Sequence, residues 1–426
     1  MKNILLFGAG KSATSLIEYL MNEVSINQWQ LTVADNNVAL IRAKIGQAPN
    51  TNAVVIDIEN ENLRKKQVEQ ADIIISLLPA SLHFLIAKDC VEFKKNLLTA
   101  SYVDDSIRKL EPEIIKNKLL FLCEMGLDPG IDHMSVMQLV NRIKNQQGRI
   151  TSFKSHTGGL IAPESDDNPW HYKISWNPRN VVMAGASGAY YKENGVVKHI
   201  GYENLFDHCE IIEIDGIGKL AYYPNRNSLN YIDLYTLDNP DTFIRTTLRY
   251  PAFCKGWGPL VAAGLTDDKK NINSEKLTYE DWSKPINAYV TEKNKKLLSY
   301  LGLFDDAPVL SSAKTSADVL QHLLETKLAM QPHDRDMIVM VHELVYELNN
   351  TPQTLKSSLI VLGENNLKTA MAKTVGLPLG IAAKLILQEK INLTGIHIPI
   401  LPVIYEPVLQ ELAIHGIVFK ETENKS

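Results

Sequence analysis

The stretch NILLFGAGKSATSLIEYLMNE, residues 3–23, decides how the first third of the chain folds. It begins with NILLF, a short apolar run of the kind a strand buried on both faces needs. Glycines interrupt that run at once, and Leu16, Ile17 and Leu20 then recur at helical spacing. The turn between them, Gly8-Ala9-Gly10-Lys11-Ser12-Ala13, fits G-x-G-x-x-A. Gly8 permits the tight turn, Gly10 lets a pyrophosphate approach the backbone, and Ala13 lets the helix pack close to the strand. The helix start adds N–H groups and a positive dipole end. Alone the pattern is weak. Between a strand and a helix it predicts a dinucleotide site built on Gly8, Gly10, Lys11, Ser12 and Ala13.

Working outward, apolar runs end at Asp35 (LTVAD) and cover AVVIDI (53–58), DIIISLL (72–78) and NLLTAS (96–101), with helix-like stretches between them. This alternation predicts an α/β fold with a doubly wound parallel sheet, the Rossmann arrangement. Ligands bind such sheets outside the carboxyl ends of the strands. The loops carrying Ser76–Pro79, Ser101-Tyr102 and Gly126–Asp132 are therefore expected to line one crevice. Asp35 ends the second strand, where a carboxylate accepts from both ribose hydroxyls of NAD and repels the 2′-phosphate of NADP. No arginine adjoins it, so NAD is favoured over NADP. The bland reading of Asp35 is a helix cap.

The 426 residues exceed one hydrophobic core. Net charge is −5, with 44 basic and 49 acidic side chains and no basic block, which argues against a nucleic-acid partner. Four scattered cysteines make neither a disulfide framework nor a zinc motif, and no metal site is expected. The apolar start is too short and glycine-broken for a signal peptide, and no run reaches a membrane span. A cytoplasmic protein with no membrane partner is the expectation.

After residue 130 the pattern changes to a helix (134–146) and turn-rich, strand-like pieces, which suggest a second, antiparallel-rich domain. Residues 266–330 turn polar and helical. Strand character returns near 336, and the tail is expected to pack back on the first domain. The boundaries predicted are 1–128 for the dinucleotide domain, with 395–426 returning to it, then 129–265 with 331–394, and a helical insertion at 266–330.

Arg179, Arg226, Arg245 and Arg249 sit beside turns or on one strand and suit an acidic substrate, although each could serve a structural ion pair. Arg245 and Arg249 are four apart, so on a strand they share a face. His133, His156 and His171 are acid–base candidates whose commoner role in a turn is capping. In GLDPGIDH (126–133), Asp132 is the better helix cap, which leaves Asp128 to hold a substrate amine or take a proton.

Several longer motifs then coincide: SY at 101–102, GLDPGIDHM at 126–134, GGLIAPESDDNPWHYKISWNPR at 158–179, YPNRNSLNY at 223–231, RTTLRYPAF at 245–253, RDMIVMVHE at 335–343 and AKTVGLPLGIAAKLIL at 372–387. Over nearly its whole length the chain resembles the saccharopine reductases, the glutamate-forming saccharopine dehydrogenases. The resemblance implies a Rossmann domain, an α/β substrate and dimerisation domain with a helical insertion, and a homodimer. It implies oxidation of the secondary amine of L-saccharopine by a nicotinamide cofactor, giving glutamate and 2-aminoadipate 6-semialdehyde, in either direction. It places the substrate at Ser101, Tyr102, Asp128, Arg226, Thr247, Leu248 and Arg249. It places the cofactor at the Gly8–Ala13 turn, Asp35, Asp57, Ile58, Ser76, Leu77, Leu78, Ser175 and Trp176. Saccharopine's three carboxylates suit the arginines, and its amino centres suit Asp128.

Two departures stand out. Thr157 occupies a position where the family usually has cysteine, and Asp35 stands where NADP-using members tend to carry arginine. The competing readings are a carboxyspermidine-type imine reductase, whose substrate has fewer carboxylates, and a non-catalytic dinucleotide sensor on the same fold.

Overall fold

The computed structural model describes residues 1–425. The chain divides into two compact units, one of residues 1–142 and 367–418, the other of residues 143–366 and those from 419 on.

In the first unit, strands β1 (Asn3–Phe7), β2 (Gln30–Asp35), β3 (Thr51–Val55), β4 (Ile73–Ser76), β5 (Asn96–Thr99) and β6 (Leu120–Leu122) are all parallel. Their order is β6-β5-β4-β1-β2-β3, and the short strand Gly395–His397 adds beside β6. Ile4 through Phe7 are all buried, so β1 faces side chains above and below. That explains an apolar run without alternation. Leu5, Phe7, Ile74, Leu97 and Phe121 share one cluster with Ile86 and Ile114 from covering helices.

The helix Ala370–Leu387 belongs here too. A Cβ on Gly376 would come within 2.9 Å of Leu16, and one on Gly380 within 2.5 Å of Tyr19, so the two glycines let it lie close against the helix Thr14–Asn27. Against the expectation that no run reaches a membrane span, this helix is long and apolar enough by length and composition to cross one, and 83% of it is buried inside the protein.

The second unit carries a ten-stranded mixed sheet. Its central order is Glu210–Ile214, Gly218–Pro224, Thr242–Arg249, Arg149–Ile161, Asp336–Leu348, Thr351–Leu362 and Lys420–Lys425. Neighbours run antiparallel except Thr242–Arg249 with Arg149–Ile161. One sheet face holds Leu160, Tyr222, Leu248, Met337 and Val339. A larger cluster joins Tyr172, Ala221, Tyr223, Phe253 and Trp257 to the helices of 279–327.

Three segments sit elsewhere than the predicted boundaries place them. Residues 129–142 and 367–394 lie with the parallel sheet, because the apolar helix Ala370–Leu387 finds its partner in Leu16 and Tyr19. Lys420–Lys425 leaves the first unit and pairs antiparallel with Gln353–Ser358 as an edge strand. Its composition, KETENK, is that of a blunted edge.

Candidate functional site

Gly8 has φ +100°, and a Cβ there would lie 2.8 Å from the Leu77 carbonyl, so both conformation and packing demand glycine. In front of Gly10 the space is open: a Cβ would meet nothing within 4 Å. Neither the turn Lys11–Ala13 nor the helix Thr14–Asn27 has a capping side chain at its start. Ser12 is half-buried and Ala13 buried beside β1. An open approach to a helix start lacking its own cap suits the phosphates of a dinucleotide.

Asp35 is placed differently from the sequence argument. Its Oδ2 accepts from Ala9 N at 2.7 Å and its Oδ1 from Asn37 N at 2.9 Å. The acid thus pins the glycine turn. Lys44 reaches the same turn and donates to the Gly10 carbonyl. Burial pulls the Lys44 ammonium down to about 8, against the opposing pull of Asp35.

Beyond β3, Asp57 Oδ1 accepts from Glu59 N at 3.0 Å, and the Ile58 carbonyl accepts from Arg64 at 2.7 Å. Arg64 is held in turn by Asp89 at 2.6 Å. At the end of β4, Leu77 N donates to Phe7 O and Leu78 is half-buried.

The three loops expected together in the first unit are laced by hydrogen bonds. Ser76 Oγ lies 2.8 Å from His83 Nδ1, and His83 Nε2 lies 2.8 Å from Ser101 Oγ. Tyr102 Oη donates to Asp128 Oδ1 at 3.1 Å. Glu124 N donates to Ser101 O, and buried Glu124 accepts from Val103 N and binds His133 Nε2 at 2.9 Å. His133 is therefore a structural partner, not an exposed acid–base group.

The loop 126–133 closes on itself. Gly126 N bonds Pro129 O, Ile131 N bonds Gly126 O, and the Asp128–Pro129 peptide is cis. Gly130 has φ +147°, where a Cβ would sit 2.0 Å from Gly126 O. The helix begins at Ile131, so Asp132 lies inside its first turn. Instead of the N-cap role expected for it, Asp132 accepts from Gly130 N at 2.6 Å and locks the loop behind Asp128.

In the second unit, Thr247 pairs with Tyr223 on one side and Thr157 on the other. Paired residues share a face, and Arg245 and Arg249 share it with Thr247 through the period of two. Leu248 points the other way, into the opposite cluster. Arg249 is 4% exposed and lies 5.5 Å from the Tyr172 ring centre and 5.2 Å from that of Phe253. Its Nη1 donates to Leu248 O, but its Nε is buried without a partner. Tyr223 Oη and Thr157 Oγ1 are likewise buried and unpartnered. Gly158, next along, is forced: a Cβ would lie 2.6 Å from Leu248 Cβ.

Trp176 Nε1 donates to Tyr172 Oη at 3.3 Å, so the Ser175-Trp176 loop, with Ser175 buried, is tied to the ring beside Arg249. Arg226 is exposed in the two-residue strand Arg226–Asn227, at φ +54°. A left-handed arginine is costly, on the order of 1–3 kcal/mol. Arg245 stacks on Tyr231 at 4.4 Å. Arg179 pairs with Asp318, and His171 with Asp166 at 2.5 Å, as their bland readings expect. His156 Nδ1 lies 2.7 Å from Thr246 Oγ1. Among the described residues, no group of three or more His, Cys, Asp or Glu could hold a metal ion.

Sequence reasoning missed His83, Tyr223 and Lys44. His83 carries no motif; its one signal is a position just beyond a strand end, in SLLPASLH.

The family model for the saccharopine dehydrogenase NADP binding domain matches residues 4–122, and that for the saccharopine dehydrogenase C-terminal domain matches 126–417. The chain is 33% identical over 445 residues to the Saccharomyces cerevisiae protein named saccharopine dehydrogenase (NADP(+), L-glutamate-forming), covering 99% of each. It is 32% identical to the alpha-aminoadipic semialdehyde synthase of Arabidopsis thaliana, over 98% of this chain but 44% of that one. The chain thus spans less than half of that relative's length. The apo saccharopine dehydrogenase (L-Glu forming) structure from Saccharomyces cerevisiae superposes with TM-score 0.87 and 31% identity, over all of both chains.

These findings overturn the preference for NAD. The matching nucleotide-domain model and the yeast relative both carry NADP in their names. The physical reason lies at Asp35, whose oxygens each accept a backbone N–H, one from Ala9 in the glycine turn and one from Asn37 in its own, while the Lys44 cation is near enough to feel its charge.

Proposed function

The chain belongs to the saccharopine dehydrogenase family, and from that premise we propose that it interconverts L-saccharopine with L-glutamate and 2-aminoadipate 6-semialdehyde, using NADP. The single observation that carries the reading is the set of buried, unpartnered polar atoms on one face of three adjoining strands: Arg249 Nε, Tyr223 Oη and Thr157 Oγ1. An uncompensated buried guanidinium is costly unless a ligand anion completes it. A carboxylate does so in a form the arginine fork and two hydroxyls match.

The open turn at Gly8–Ala13 fits the cofactor's phosphates, and Lys44 is the cation suited to its 2′-phosphate. When bound, the nicotinamide supplies the hydride acceptor. The chain's own residues do the rest. Asp128, with one oxygen held by Tyr102, keeps an amino centre of the substrate in place by a charge-assisted hydrogen bond. Ser101 and the arginines Arg226 and Arg249 hold carboxylates. Water then hydrolyses the imine that hydride loss leaves. Most of the acceleration comes from alignment.

The test is direct. Purified protein given NADP+ and L-saccharopine is expected to produce NADPH. No reduction of NADP+ or NAD+ by folded protein refutes the reading. Asp128→Asn is expected to lower kcat by about tenfold to a hundredfold with NADPH binding intact. Wild-type turnover in that variant removes Asp128 from the site.

A further inference from the structure

His83 begins the helix His83–Glu92 and is 2% exposed. Three hydroxyls surround its ring. Nδ1 lies 2.8 Å from Ser76 Oγ, and Nε2 lies 2.8 Å from Ser101 Oγ and 3.3 Å from Thr99 Oγ1. Ser76 and Thr99 are paired neighbours at the carboxyl ends of β4 and β5. Ser101 follows in the next loop, its N–H on Thr99 Oγ1 at 3.2 Å. The ring therefore joins two strand ends to the loop that carries Ser101. Burial pulls the imidazole down to about 4, with the charge of Asp104 opposing, so the ring is neutral near pH 7.

A neutral imidazole has one N–H and one bare nitrogen, and the hydroxyls beside it must follow. With the proton on Nδ1, Ser101 donates to Nε2 and presents lone pairs outward. With the proton on Nε2, the ring donates to Ser101 Oγ, and the Ser101 proton is released to a ligand while Ser76 donates to Nδ1. A carboxylate only accepts, so it selects the second state.

We infer that His83 is a positioning residue which, protonated on Nε2, turns the Ser101 hydroxyl into a hydrogen-bond donor for a substrate carboxylate. This inference rests on the reading of Ser101 as a substrate contact. It adds a residue that touches no substrate and acts through the polarity of one that does.

Two measurements decide it. In protein labelled with [15N]histidine, the His83 ring is expected to be neutral and Nε2-protonated, unchanged from about pH 8 to about 5.5 when a carboxylate substrate is bound. An Nδ1-protonated ring, or one that titrates near its ordinary value, overturns the inference. In kinetics, His83→Phe removes both nitrogens, while His83→Gln returns an amide N–H to the Nε2 position. The Phe variant is expected to raise the saccharopine KM by about tenfold, the loss of one hydrogen bond to a charged group. The Gln variant is expected to recover most of that, while NADPH dissociation constants measured by fluorescence, which report the Ser76 contact that both variants loosen, are alike in the two. Equal defects in the two variants, or NADPH binding that weakens in step with KM, mark a scaffold role and overturn it. Should the Phe variant fail to fold, the Gln variant and the 15N spectra decide. Should wild-type protein leave saccharopine unoxidised, the proposed function falls, and the tautomer seen with glutamate bound still decides the role of His83.

Discussion

Around the strand ends of the first unit, polar groups already hold one another: Ser76, His83 and Ser101 form a chain, and Tyr102 donates to Asp128. On the sheet face of the second unit, Arg249 Nε, Tyr223 Oη and Thr157 Oγ1 are buried and unanswered. Each such group costs about 1–3 kcal/mol in the folded protein without ligand. The contrast separates two tasks. A satisfied network fixes geometry before anything binds, and an unsatisfied one reserves its hydrogen bonds for the ligand. The first suits the reacting centre, where alignment matters. The second suits affinity for an anion.

The largest effect that could break this contrast is Arg249→Met. Methionine keeps much of the stem packing against Tyr172 and Phe253 and removes the unpaired charge. The saccharopine KM is expected to rise by about a thousandfold, about 4 kcal/mol for a two-pronged charged contact. Thermal stability is expected to hold or increase, because a buried unpaired charge has gone. A variant that binds substrate normally, or one that melts well below wild type, would show Arg249 to be structural.

Next in size is a pH effect in the first unit. His83 is held near 4 in the folded protein against an ordinary 6.5. Below 6.5 the unfolded chain takes up a proton that the folded one refuses. Stability is therefore complete above 6.5 and lost as pH falls toward 4, by up to about 3 kcal/mol. Denaturant unfolding at a series of pH values reads this slope, and His83→Gln is expected to remove the His83 share. An unchanged slope in the variant would mean that other groups carry it.

Smaller still is Lys44→Ala, expected to weaken NADPH binding about tenfold while sparing NADH. Since burial draws the Lys44 ammonium to about 8, NADPH affinity in the wild type falls as pH rises past that value and the cation is lost. Equal losses for both cofactors would place Lys44 on the glycine turn as scaffold alone.

Much of the frame was legible from local pattern. The parallel strands announce themselves because burial on both faces leaves no alternation, and the glycine turn because Gly8 has no alternative in its conformation. Arg245 and Arg249 share a face because a strand has period two. What was not legible depends on partners far along the chain. The hold of Asp35 on Ala9 N and Asn37 N is invisible in the sequence, where the acid reads only as a ribose acceptor or a cap. Asp132 looked like a cap until Gly130 claimed it. Residues 370–387 have no local mark for one unit over the other; the close fit of Gly376 and Gly380 on Leu16 and Tyr19 decides it. The unpartnered state of Tyr223 is a three-dimensional fact with no trace in YPNRN.

Tyr223→Phe is the finest test, since it deletes a single oxygen from the unsatisfied face. Burial holds the phenol well above its ordinary range, so it stays protonated and can donate. If that hydroxyl waits for a carboxylate, its loss raises the saccharopine KM about fivefold, near 1 kcal/mol. The folded protein without ligand should then gain slightly in stability, because a buried polar atom without a partner has been removed. The two shifts have opposite signs, which ordinary packing damage cannot produce. Loss of stability with KM unchanged would mean that Tyr223 serves the core, and the reserve on this face would reduce to Arg249 and Thr157.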